Sequence, residues 1–441
     1  MTMRTATTQP NDSAPVFTWH DGWRYGLMGF PLAFVALPLY VLLPNHYART
    51  FGVPLATLGA LLLGVRLFDA LIDPLLGRWS DRLFTRALST VLTWGAVLAG
   101  VLGAGFVMLF FPPVRTLSAL LLWATLSLLL TYVAFSALTI LHQSWGAMLG
   151  GNELQRSRIV AWREGLGLAG VIFASITPVA LGLSVTSAIF FVALIAGWLA
   201  WTQARRPTLT AVGAPTATEE GLLTPRGIKT SVWLPFTRPG FRALLAVFMV
   251  NGIASAVPAT LLLFFVQDRL QAPSSSEPLF LGSYFLSAAL AMPLWLRVVQ
   301  HLGLARAWGL GMLLSIGVFV FAITLGAGDV AAFVWVCTFS GIGLGADLAL
   351  PGALLAGTIQ ASGDQGRAEG AYFGWWNFVT KLNLALAAGV ALPVLGALGY
   401  VPGTRDTAAL QTLSYAFCLL PCALKLIAAG LLYQLIIRKT L

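Results

Sequence analysis

Two aspartates, Asp69 and Asp73, stand four residues apart in RLFDALIDPLLGRWSDR (residues 66–82), inside a stretch that is otherwise mostly apolar. That spacing puts both carboxylates on one face of a helix, one turn apart. An ionised carboxylate in hydrocarbon is costly, so two on one face require a cation, a proton or a buried partner. Na⁺, a hard ion that prefers carboxylate and hydroxyl oxygens, suits the pair, and so does a proton. When both acids are ionised they repel, which ties ion occupancy to helix position. Arg66, three residues before Asp69, offers a purely structural alternative by neutralising the pair locally.

Lys381 is the basic counterpart. It lies well inside the apolar run WWNFVTKLNLALAAG that begins at Trp375, too deep to snorkel to an interface, and a buried ammonium seeks a carboxylate. Asn377, Thr380 and Asn383 place further polar atoms beside it. Asp347, alone in GLGADLALPG, suits either a hydrogen bond to a solute or a structural pair. Arg163 and Glu164 are neighbours in sequence and are expected on different sides of their helix, bridging others in a structural ion pair. His142 and Gln143 mark one end of another helix. The histidine is either a hydrogen-bonded core group or a proton relay. Trp376 could stack on a sugar, although the chain has 15 tryptophans and most must serve packing. Together Asp347, His142, Gln143, Arg163, Trp376, Asn377 and Thr380 are the candidate lining of a solute cavity. Pro74, Gly77 and Asp81 read as a conformational latch. The proline loosens its helix, the glycine admits a close neighbour, and the acid can pair at the helix end.

The elements that must position these groups are membrane spans. Of 441 residues 58% are hydrophobic and 10% charged, where soluble domains carry about a quarter charged, and mean hydropathy is +0.84. At roughly 20 residues per span, twelve helices are expected, centred near residues 34, 66, 99, 130, 171, 194, 253, 286, 316, 344, 385 and 424. The predicted fold is therefore an all-α membrane protein of two six-helix bundles. Residues 1–22 form a tail, 23–204 the first bundle, 205–240 a polar central linker and 241–441 the second bundle. The net charge of +10 is scattered through short loops rather than clustered for nucleic acid. Arginines and lysines crowd one side, which makes that side, and both termini, cytoplasmic. Cys337, Cys418 and Cys422 have no metal-ligand spacing and read as core filler. The halves echo one another: SRIVAWREGLGLAG (from Ser157) and GRAEGAYFGWWNF (from Gly366) open the fifth helix of each, as expected of a transporter built from internal repeats.

RLFDALIDPLLGRWSDR, RIVAWREGLGLAG (from Arg158) and GRAEGAYFGWWNFVTKLNLALAAG with its following LGALGYVPG together resemble the glycoside–pentoside–hexuronide:cation symporters, the melibiose-permease-like branch of the major facilitator superfamily. The likeness runs from about Tyr25 to the C-terminus. It implies the two-bundle major facilitator fold, Asp69 and Asp73 as ligands of the coupling cation, and Lys381 as the basic partner between the second and eleventh helices. Two departures stand out. The family's first-helix substrate acid aligns with Ala33, and its fourth-helix acid aligns with Thr139, which retains a hydroxyl for the ion. The reading that follows is secondary active symport of a small solute, a sugar or glycoside, driven by Na⁺ or H⁺ with no other cofactor. The expected setting is a monomer in a bacterial inner membrane. Alternatives are a cation-coupled carrier of lysolipids or other amphipathic solutes, a proton-driven drug exporter and, remotely, an intramembrane prenyltransferase, which lacks its second Asp-rich motif here.

Overall fold

The computed structural model describes residues 17–207 and 231–440, and among these the regular structure is entirely helical. Most of the 205–240 linker and of the N-terminal tail thus lie outside the described residues. The first rod, α1, is broken (Trp19–Tyr40 and Leu43–Phe51, bent by 42°). It is followed by α2 (Leu55–Phe84), then α3 (Leu88–Phe110), α4 (Leu117–Met148), α5 (Glu153–Pro178) and α6 (Ala180–Thr202). The second half holds α7 (Pro239–Arg269), α8 (Glu277–Leu302), α9 (Leu304–Ala322), α10 (Val330–Ala361), α11 (Glu369–Ala397) and α12 (Thr407–Ile437). Ten of these helices are each long and apolar enough to cross a bilayer. The broken α1 completes an eleventh span, and α2 departs from the pattern because it carries Arg66, Asp69, Asp73, Arg78, Asp81 and Arg82. The chain is an integral, multi-pass membrane protein.

Local sequence explains the ends and breaks. Thr18 and Asp21 form a capping box at the start of α1, and the side chains of Asn152 and Asp406 cap α5 and α12. Gly182, at φ 79°, interrupts the helical backbone in the first turn of α6, a conformation that disfavours any other residue. Three cores follow the two-bundle plan. The first is built around Tyr25, Phe34, Phe106, Trp145 and Trp201, and another lies wholly in the second half around Phe265, Phe333 and Phe417. The remaining core joins the halves: Ile140, Val160, Ala161 and Leu168 of the first pack with residues such as Phe373 and Trp376 of the second. The three cysteines are free and buried.

On α2 the two faces separate cleanly. Leu63, Leu67, Leu71 and Leu75 are 58–70% exposed, a lipid-facing stripe repeating every four residues. Asp69 and Asp73 are each two residues out of phase with it, which at 100° per residue turns them to the opposite, buried face.

Candidate cation and solute site

Asp73 lies eleven residues from the end of α2 and Lys381 twelve residues into α11. At 1.5 Å per residue both sit about 16–18 Å from the basic face, near the middle of a hydrocarbon core about 30 Å thick. There they meet. The Lys381 ammonium lies 2.8 Å from Asp69 Oδ2 and 2.8 Å from Asp73 Oδ2. It also donates to Asp73 Oδ1 (2.9 Å), Ser136 Oγ (2.9 Å) and the Asp69 carbonyl (3.3 Å). Ser136, from α4, donates in turn to Asp69 Oδ1 at 2.7 Å. Five oxygens thus surround one ammonium, in the manner of a coordination shell. Both carboxylates are buried, whereas the Lys381 side chain keeps 19% of its surface accessible. Two carboxylates against one ammonium leave a formal charge of −1 in the membrane interior.

Thr139, one turn beyond Ser136, has a buried hydroxyl without a hydrogen-bond partner. The oxygen from α4 that reaches the acids is therefore that of Ser136, while Thr139 Oγ1 remains spare. Arg66 does not neutralise Asp69. Its guanidinium lies 4.7 Å from the centre of the Tyr40 ring and donates to the Tyr40 carbonyl at 3.4 Å. Among the described residues no cluster of three or more His, Cys, Asp and Glu forms a transition-metal site. The donor set here, two carboxylates, the Ser136 hydroxyl and the Asp69 carbonyl, is all hard oxygen, which fits an alkali cation.

Between the cluster and the basic face the halves are clasped. Asp81 accepts hydrogen bonds from the backbone of Gly370 (2.6 Å) and Ala371 (3.0 Å), so a carboxylate of α2 caps the N-terminus of α11. Gly77 and Gly370 face each other so closely that a methyl built on either would collide with the other's carbonyl oxygen, and one on Gly374 would meet the Asp73 carbonyl at 2.6 Å. Only glycines allow α2 and α11 to cross there. Pro74 lies on that crossing, its Cα beside Gly374. Further ties are Glu153 Oε2 accepting from Leu304 N at the start of α9 (2.9 Å) and Arg156 donating to Gln360 (2.7 Å). Gln143 accepts from Asn377 at 3.0 Å, which joins α4 to α11.

The other cavity candidates are placed differently. His142 is fully buried in the first core, its Nε2 2.8 Å from the Tyr25 carbonyl and its ring stacked on Tyr25 at 4.4 Å, so it lines no cavity. Trp376 stacks on Phe248 at 3.6 Å and is not free to take a sugar ring in this conformation. Thr380 turns its hydroxyl to the Trp376 carbonyl. Arg163 and Glu164 form the expected ion pair, but with each other at 2.6 Å, long side chains overcoming adjacent positions on the helix, and the Arg163 guanidinium also lies against the Tyr25 hydroxyl of α1. Asp347 is paired with Lys425 of α12 at 2.8 Å. Sequence reasoning missed Lys425, although a lysine inside LPCALKLIAAGLL carries the same signal as Lys381. It also missed Ser136, whose hydroxyl gives no sign in an apolar run.

Two clasped bundles with buried carboxylates and an ammonium at mid-depth are the architecture of a transporter of the major facilitator superfamily. The chain belongs to the MFS/sugar transport protein family, whose model matches residues 24–439; that family is one of transporters, not enzymes. Among curated relatives it is 27% identical over 160 residues to a putative glycoside/cation symporter, YagG, of Escherichia coli, a match spanning 36% of this chain and 34% of that one. It is 22% identical over 442 residues to an uncharacterized symporter, YjmB, of Bacillus subtilis (93% and 91% of the chains). Against a glucuronide carrier protein homolog of Escherichia coli it is 22% identical over 434 residues (92% and 90%). The fold matches that of a bacterial homologue of the iron transporter ferroportin in an outward-facing state, with a TM-score of 0.66, 19% identity and 95% and 98% of the chains covered. It also matches the transporter FucP in the outward conformation, with a TM-score of 0.62, 13% identity and 96% and 100% covered.

Proposed function

We propose that the chain is a cation-coupled symporter for a sugar or glycoside, with Asp69, Asp73 and Ser136 holding the coupling ion, Na⁺ or H⁺, and Lys381 as their internal counter-ion. The observation that carries this reading is the formal charge of −1 on a buried cluster of two carboxylates and one ammonium. A site at mid-membrane depth that is short of one positive charge favours a monovalent cation or a proton. The spare Thr139 hydroxyl offers the ion a further oxygen. Symporter names among the relatives support the same class.

The basic face is taken as cytoplasmic, with both termini on it, in a bacterial inner membrane. The clasp on that face then closes the cytoplasmic side in this conformation. Ion binding completes the charge of the cluster, loosens Lys381 from the acids and lets the halves rock about a bound solute. Ligands bias that equilibrium only by binding one state better than the other.

The test is Asp73→Asn in reconstituted vesicles, with uptake of candidate glycosides followed with and without a Na⁺ or H⁺ gradient. The variant is expected to lose gradient-driven accumulation while keeping solute exchange. Accumulation at the wild-type level would overturn the assignment.

A further inference from the structure

The second bundle contains a cavity of about 160 Å³ among α7, α8, α9, α10 and α12 that the coupling site does not use. Its walls are the rings of Phe280, Phe285, Phe319, Phe333 and Phe417, and Lys425 and Asp347 form its polar end. The mouth, between α7 and α8, is rimmed by the exposed Ala259 and Leu281. An apolar cavity of about 150 Å³ is large enough to hold a benzene ring, so the space fits one six-membered ring.

The polar end says what that ring must carry. Asp347 is saturated: it accepts from Lys425 (2.8 Å), Trp308 (2.9 Å), Asn251 (3.0 Å) and Ser255 (3.3 Å). It is therefore closed to a ligand and serves to hold Lys425. The Lys425 ammonium has three N–H donors but only two acceptors, Asp347 and Asn251 (3.0 Å). The Tyr284 hydroxyl, also on the lining, takes part in none of the side-chain hydrogen bonds among the described residues. One Lys425 N–H and the Tyr284 hydroxyl are thus left on the lining as donors for an acceptor oxygen. Because the charges of Lys425 and Asp347 cancel, an anionic ligand would bring an uncompensated charge, and a neutral one would not.

We infer that this cavity is a binding site for a neutral, ring-sized apolar group bearing one acceptor oxygen, as a free small molecule or as part of a larger solute. The inference does not depend on the cation site. Purified full-length protein is to be titrated with cyclohexanone, cyclohexane and benzoate, with thermal stability as the readout. Cyclohexanone should stabilise saturably and the other two at least tenfold less effectively. The cavity-filling variant Ser340→Leu should abolish the response, Tyr284→Phe should weaken it by about three- to tenfold, and Asp73→Asn should leave it unchanged. Equal responses in wild type and Ser340→Leu, or cyclohexane matching cyclohexanone, would overturn the site. Should Ser340→Leu not fold, Tyr284→Phe decides alone, because it removes a single oxygen, and an unchanged affinity counts against the proposal.

Discussion

The glycine crossing of α2 and α11 makes Gly77→Ala an informative perturbation, since it adds one methyl and no charge. That methyl would fall on the Gly370 carbonyl oxygen, and the obstacle is backbone at the start of a helix, which cannot swing aside as a flexible side chain does. Forcing such a contact costs about 1–3 kcal/mol by overpacking. The displaced α11 terminus also draws Gly370 and Ala371 away from Asp81, where each charge-assisted hydrogen bond is worth about 1.5–3 kcal/mol. Even partial loss of one bond brings the total to about 2–4 kcal/mol, and every 1.4 kcal/mol is tenfold in an equilibrium constant. The clasped conformer should therefore lose about thirty- to several-hundred-fold relative to the one open at the basic face. Ala356, buried among residues of both halves including Tyr25 and Arg163, reports on that opening. With Ala356→Cys in a background lacking Cys337, Cys418 and Cys422, labelling by a membrane-impermeant maleimide applied to the basic face should quicken at least tenfold in Gly77→Ala. An unchanged rate would refute the reasoning that this crossing seals the basic face.

Lys381→Met leaves two buried carboxylates facing one another without an ammonium, a loss of about 3–5 kcal/mol. With the internal cation gone, folding should favour bound ions, so melting temperature should rise steeply with Na⁺ or as pH falls. An ion at a hundred times its Kd returns about 2.7 kcal/mol, and a melting curve indifferent to both would count against the cluster being an ion site. Ser136→Ala removes a donor to Asp69 and an acceptor of Lys381 and should weaken ion binding by about tenfold or more, read as the ion concentration giving half-maximal uptake. Thr139→Val, which breaks no hydrogen bond here, should leave the melting temperature nearly unchanged while weakening ion dependence. If it left ion dependence intact, Thr139 would not be a ligand.

How far sequence carried the description depended on what each residue's signal was tied to. Span positions were legible because apolar length is dictated by bilayer thickness, and α3, α4 and α10 fall where the runs place them. The facing of Asp69 and Asp73 was legible from their four-residue spacing, and the depth of Lys381 from its apolar surroundings. What depended on the third dimension was not. Nothing in the sequence showed that Arg66 would prefer the Tyr40 ring to a carboxylate one turn away, or that Arg163 would fold back on Glu164. His142 was assigned to a cavity by its ordinal place at the end of α4, yet the face it occupies turns into the core. Ser136 illustrates the general difficulty. A hydroxyl in a membrane helix usually bonds its own backbone, as Thr131 and Thr380 do, and only the position of α4 against α2 distinguishes the exception.

The layout of α2 gives a physical reason why ion occupancy and access should move together. One continuous helix carries the carboxylates at Asp69 and Asp73 and, one to two turns further on, the crossing at Gly77 and the cap at Asp81. Its partner α11 carries Lys381 and, toward the same end, Gly374 and Gly370. Each helix therefore holds one half of the ionic cluster and one half of the clasp. A shift of α2 against α11 that separates Lys381 from the acids cannot leave the glycine crossing intact, because that crossing has no slack for sliding. Conversely, breaking the Asp81 cap frees α11 to carry its ammonium away. The coupling needs no long pathway through the bundle: the two devices lie on the same pair of helices, about 12 Å apart between Asp69 and Gly77 at 1.5 Å per residue, and the balance of charge at one end sets how tightly the other is held.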